Sequence, residues 1–188
     1  MPRVTAVYIL SGLVVVGGIW LFNSGVRLRN RAREAFSGID VQLKRRHELV
    51  PNLVRVVGAY ARHEREALEE VTRLRGAAEA AGTMPERERS ERGLDQGLVR
   101  LLALVERYPD LKADANFRRL QDDLVEVEDH LQYARRYYNG AVRDFNTRIE
   151  QFPASLLASF ARWRPLDFFQ VTEASERGTP RIEREELA

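Results

Sequence analysis

The pattern of apolar and polar positions divides the chain into an unbroken apolar run followed by periodic stretches. Val4–Phe22 reads VTAVYILSGLVVVGGIWLF, nineteen residues without a charge. At the helical rise it covers about 28 Å, close to the hydrocarbon core of a bilayer. From Leu28 to Leu74 apolar residues recur every three or four positions: Leu28, Ala32, Ala35, Ile39, Leu43, Val50, Leu53, Val57, Tyr60, Ala67, Val71, Leu74. This is the period of an amphipathic helix with a near-heptad seam. Arg46 and Glu64 are polar residues on that seam. Pro51 interrupts it and removes one backbone hydrogen bond. The helix either kinks and continues or ends near Leu49 and reverses. The flanks of Pro51 lack glycine and carry the apolar phase across, which favours the kink.

Ala81-Gly82-Thr83-Met84-Pro85-Glu86 is the clearest break, with Thr83 and Glu86 spaced as a capping box. A helix over about Met84–Arg107 follows, with Leu94, Leu98, Leu101, Leu102 and Val105 on its inner face and Gly93 and Gly97 weakening it. Tyr108-Pro109-Asp110 ends it. The last long helix, from about Asp114 to Phe152, carries Leu120, Leu124, Val127, Leu131, Ala134, Tyr138, Ala141 and Phe145 in alternating steps of four and three, with Ile149 and Phe152 extending the stripe. Pro153 stops it. These periods predict an all-α fold: an antiparallel up-and-down helical bundle on an N-terminal transmembrane helix. It has three long helices with the first kinked at Pro51, or four helices. The domains are a membrane anchor (residues 1–25), a bundle (26–153) and a tail (154–188) that is aromatic, then charged and flexible. In the four-helix arrangement Trp163, Phe168 and Phe169 return towards the bilayer, where aromatic side chains are favoured.

Charge orients the anchor. Arg3 precedes the span, whereas Arg27, Arg29, Arg31 and Arg33 follow it. Positive residues stay on the cytoplasmic side, so the expected protein is single-pass in a bacterial inner membrane, N-terminus outside and bundle cytoplasmic. The same four arginines are candidate contacts for anionic lipid. The chain has 188 residues, no cysteine and a formal net charge of +2. No disulfide, thiol nucleophile or thiolate metal site is available. Arginines alternate with acids, as in Glu64-Arg65-Glu66, which marks a solvated surface and no nucleic-acid stripe.

The sequence offers no catalytic constellation. Di-iron bundles need inward Glu-x-x-His pairs, but Lys44, Tyr60 and Val127 stand three residues before His47, His63 and His130. No H-E-x-x-H, phosphate loop or nucleophile elbow occurs. The expectation is a protein without enzymatic activity or cofactor, whose partners are the bilayer and unidentified proteins. Asn139 and Asn146 share a face of the last helix beside Tyr138 and Phe145. With Arg46 and Glu64 they are candidates either for fixing helix register or for lining a polar groove that binds a peptide or headgroup.

Phe36–Val54 (FSGIDVQLKRRHELVPNLV), Tyr108–Leu124 (YPDLKADANFRRLQDDL) and Ala134–Pro153 (ARRYYNGAVRDFNTRIEQFP) follow the N-terminal span in order, with Phe168-Phe169 after them. Together they resemble the LemA family of bacterial membrane proteins. The acidic residue before the Asn-x-Phe stretch stands in altered form, as Asp114-Ala115-Asn116-Phe117. The resemblance implies an antiparallel four-helix bundle with the N-terminus outside. It brings no catalytic residues, because no activity is established for the family. The reading is a membrane-tethered interaction scaffold, with a lipid-binding or membrane-shaping protein as the alternative and a ferritin-like metalloenzyme behind both.

Overall fold

The computed structural model describes residues 2–169. The charged end of the tail lies outside the described residues. Helix α1 spans Pro2–Tyr60, and α2 Arg65–Ala80, α3 Met84–Val105, α4 Pro109–Ala113, α5 Ala115–Glu150 and α6 Ala154–Phe160 follow. No strand occurs among the described residues. The all-α bundle expected from the periods is present, with four long helices.

Helix α1 passes through Pro51 without ending. The reason lies on α2. Pro51 has no N–H for the carbonyl of His47 four residues earlier. Arg75 Nη1 donates to that oxygen at 3.2 Å instead. The chain reverses ten residues later, over Ala61-Arg62-His63-Glu64, where the apolar period gives no warning. Both expectations about Pro51 are thus half met. The helix continues across the proline, yet the bundle has four long helices.

The other boundaries follow local chemistry. Thr83 and Glu86 form the capping box. Asp114 caps α5 by accepting from the N–H groups of Asn116 and Phe117 at 2.8 and 2.9 Å. Tyr60 donates to the same carboxylate at 3.0 Å, tying the far end of α1 to the start of α5. Gly93 and Gly97 do more than weaken α3. A Cβ on Gly97 would lie 2.7 Å from Leu74 Cδ1, so these two glycines let α2 approach closely.

Helices α1 and α5 run antiparallel along their length, and α2 and α3 form a hairpin on their outer half. The apolar interior has two main parts. The outer part holds Val50, Leu53, Val57, Val71, Leu94, Leu101, Leu111 and Phe117. The part nearer the span holds Ala32, Ile39, Leu43, Leu131, Tyr138, Val142 and Phe169. Most of the expected seam is buried. Tyr60 and Phe152 are exceptions, at 44% and 81% exposed. Phe152 leaves the stripe because α5 ends at Glu150, so helical phase no longer sets its direction.

Candidate functional site

Two polar constructions interrupt the apolar interior. The first is an ionic layer between its two parts. Arg46, 3% exposed, forms ion pairs with Glu91 at 3.3 Å, with Asp95 at 2.6 Å and with Glu128. His47 Nε2 lies 2.8 Å from the other oxygen of Glu91, whose side chain is 1% exposed. Gln132 donates to Glu128 at 2.6 Å, and Arg135 approaches the same carboxylate at 3.9 Å. Three helices meet here through charge: α1 gives Arg46 and His47, α3 gives Glu91 and Asp95, and α5 gives Glu128 and Arg135. Beside the layer a cleft of about 390 Å³ opens between α1, α2 and α3, lined by Lys44, His47, Glu79, Arg87 and Glu91 among others.

The electrostatics follow from burial and pairing. Burial opposes the charge on Arg46, yet Asp95, Glu128 and Glu91 raise its pKa above the ordinary value. Burial likewise works against the Glu128 carboxylate, but Arg46, Gln132 and Arg135 hold it below the usual range. Asp95 is different. Burial lifts its carboxyl to about 6, with Arg46 opposing and Glu128 adding to the rise. Removing one partner from such a layer leaves a buried charge uncompensated, which costs about 3–5 kcal/mol.

The second construction is a clamp on an extended segment. Asn146 Oδ1 accepts from Leu166 N–H at 2.8 Å, and its Nδ2 donates to the Leu166 carbonyl at 2.9 Å. Asn139 makes the same pair of bonds with Phe169, at 2.8 and 2.9 Å. Tyr138 donates to the Asp167 carbonyl at 2.9 Å. The spacings match. Seven helical residues advance about 10.5 Å, and three extended residues span roughly 10 Å. Each side-chain amide offers a donor and an acceptor, so it pairs with one backbone unit as a neighbouring strand would. Phe169 is buried, and Arg135 lies over its ring at 5.0 Å from the centroid. Phe168 faces outward at 47% exposed.

The candidate residues from the sequence fall into these places unevenly. Asn139 and Asn146 act together, and the groove they line is filled by the chain's own tail. Arg46 and Glu64 do not meet. Arg46 centres the ionic layer, whereas Glu64 accepts from Arg107 and Tyr108 at 3.0 and 3.1 Å and ties the α1–α2 turn to the end of α3. Of the arginines after the span, Arg31 stacks 5.6 Å over the Tyr137 ring and donates to its hydroxyl at 3.3 Å. Arg27 and Arg33 are exposed and Arg29 is half-buried. Val4 and Phe22, the ends of the span, are exposed at 58% and 42%. Glu91 and Arg135 are not among the sequence candidates, although both lie in phase with apolar stripes, Glu91 with Leu94 and Leu98, Arg135 with Leu131 and Tyr138. Arg75 is not among them either, and no local pattern marks it.

The apolar segment of α1 is the one helix among the described residues long and apolar enough to cross a membrane, and none of its most apolar window is buried. A core helix would be covered, so this exposure agrees with membrane association. The LemA family model matches residues 35–183. The magnetosome proteins MamQ 1 and MamQ 2 of Paramagnetospirillum magneticum are each 25% identical over 203 residues, covering 92% of this chain and 75% of theirs. Protein LemA of Metamycoplasma hominis is 26% identical over 154 residues, covering 80% of this chain and 69% of its own. With its bundle, its exposed apolar helix and a family match over most of its length, the chain belongs to the LemA family.

Proposed function

We propose that this chain is a non-enzymatic, membrane-tethered interaction scaffold. It crosses a bacterial inner membrane once, with the N-terminus outside and the bundle on the cytoplasmic face. The observation that carries this reading is the segment that Asn139 and Asn146 hold in place, which turns Phe168 outward on the bundle surface. Such paired amides recognise backbone and leave side chains to choose the occupant. Orientation draws on the arginines after the span. The lack of catalysis draws on the ionic layer, whose carboxylates are already matched by Arg46 and Arg135. Among the described residues no group of three or more His, Asp or Glu is arranged to hold a metal ion. That also weighs against the ferritin-like reading.

Lipid binding is the second reading, favoured by Arg27 and Arg33 standing exposed just beyond the span. Photo-crosslinking separates the two. A benzophenone side chain in place of Phe168, on the rim of the clamp, is expected to give a discrete protein adduct in cells. That adduct should disappear when Asn139 and Asn146 are both alanine. Adducts confined to the chain itself, or to lipid, would refute the scaffold reading.

A further inference from the structure

The base of the bundle carries an apolar face that the interior does not use. Phe152, Leu156 and Phe160 are 81%, 65% and 93% exposed. Leu156 and Phe160 lie one turn apart on α6, and Phe152 precedes that helix across Pro153. The opposite side of α6 is spent on packing: Ala154 and Ala158 are buried, and Ala158 sits with Phe145 and Ile149 against Leu28 and Trp163. Leaving two phenylalanines and a leucine exposed is costly in water, at about 1.5–3 kcal/mol per side chain.

Its height on the molecule is fixed by the α1–α5 register. Tyr60 meets Asp114, Arg46 meets Glu128 and Phe36 meets Tyr138, one constant antiparallel alignment. Continued towards the N-terminus, that alignment sets Phe152 level with Phe22, the last residue of the apolar run. Direct contacts agree. Trp163, three residues after α6, stacks on Phe22 with ring centroids 5.3 Å apart. It lies so close to Gly25 that a Cβ there would be 2.1 Å from the indole. Arg162 and Arg164 flank that tryptophan and are exposed.

We propose that α6 is a second membrane contact, with Phe152, Leu156 and Phe160 seated in the headgroup–acyl boundary of the leaflet from which α1 emerges. The occupant is lipid because the face lies at the depth where the span itself leaves the bilayer. Aromatic side chains and flanking arginines are favoured there. The bundle is then held at two points, α1 and α6, and its base stays against the surface. A single span alone would let it swing. This rests on α1 crossing the membrane.

The chain has no cysteine, so single-cysteine variants are clean probes. Nitroxides at Leu156→Cys and Phe160→Cys are read in the full chain, reconstituted in phosphatidylethanolamine–phosphatidylglycerol vesicles. Val14→Cys in the span and Val99→Cys on the outer bundle serve as references. The expected result is that positions 156 and 160 collide with oxygen far more than with a water-soluble nickel relaxant, as Val14→Cys does. Val99→Cys should show the reverse. Labels at 156 and 160 as open to nickel as Val99→Cys would overturn the proposal. Labels closed to both relaxants would overturn it too, and spin–spin broadening between chains would then assign the face to a second copy. A nickel-accessible label at Val14→Cys overturns the span itself and is distinguishable from failure of α6 alone.

Discussion

Replacing Arg75 with methionine is expected to destabilise the bundle only while residue 51 is proline. Pro51 gives no N–H to the His47 carbonyl, and Arg75 supplies the missing donor at 3.2 Å. A hydrogen bond from a charged donor contributes about 1.5–3 kcal/mol. The Arg75 side chain is 29% exposed, so the low end of that range applies. Its pairing with Glu79 one turn later, at 3.4 Å, is partly exposed and adds only about 0.3–0.5 kcal/mol. Arg75→Met should therefore cost about 2 kcal/mol. Pro51→Ala restores the intrahelical N–H, and in that background the same change should cost only about 0.5 kcal/mol. The coupling of about 1.5 kcal/mol corresponds to roughly 3–6 °C in melting temperature for a chain of this size. Unfolding of the four variants in detergent micelles, followed by far-ultraviolet circular dichroism, measures it. Equal losses in both backgrounds, within about 0.3 kcal/mol, would refute the idea that Arg75 serves the orphan carbonyl.

Other outcomes follow from the ionic layer and the clamp. The raised Asp95 pKa, about 6, means that the folded chain binds a proton the unfolded chain has released. Stability from this group is present at low pH and is lost as pH rises through about 4 to 6. The stability difference between Asp95→Asn and the parent should therefore move in favour of the variant as pH rises from about 4 to 6 and level off above, read from urea midpoints, and a difference that does not change with pH would contradict the assignment. Arg46→Ala strands Glu91 in the interior and should cost about 3–5 kcal/mol, whereas an exposed change such as Arg33→Ala should shift the melt little. Asn139→Ala with Asn146→Ala removes four hydrogen bonds to the extended segment, a net loss of about 2 kcal/mol or more. Chymotryptic cleavage after Phe168 should then accelerate by roughly thirtyfold or more with the bundle's own melt nearly unchanged, and unaltered cleavage would count against the clamp. Leu131→Asp, at a fully buried seam position, should abolish cooperative unfolding.

The helices themselves were legible because each buries one face, and burial of one face writes a period into the residues. The seams through Ile39, Leu53, Leu131 and Phe145 are all buried as the steps of three and four require. The span was legible for a related reason, since only a run without charge suits hydrocarbon. The turn at Ala61–Glu64 was not legible. It has no glycine or proline, and the apolar phase continues to Val71 on the far side. Nor did periodicity show that Asn139 and Asn146 face the chain's own Leu166 and Phe169.

The sequence by itself determined where the long helices run, apart from the turn at Ala61–Glu64, which stripe of each turns inward, and where the apolar rod begins and ends. These depend on neighbours within two turns of the same chain. Tertiary structure alone decided who answers whom: Arg75 for the carbonyl that Pro51 leaves open, Glu91 and Glu128 for Arg46, and the tail for the two asparagines. Each of those pairings closes a gap of twenty or more residues. The physical reason is that a polar residue on an apolar stripe announces only that it needs a partner. Which partner it finds depends on helix register, and that is set by packing of the whole bundle.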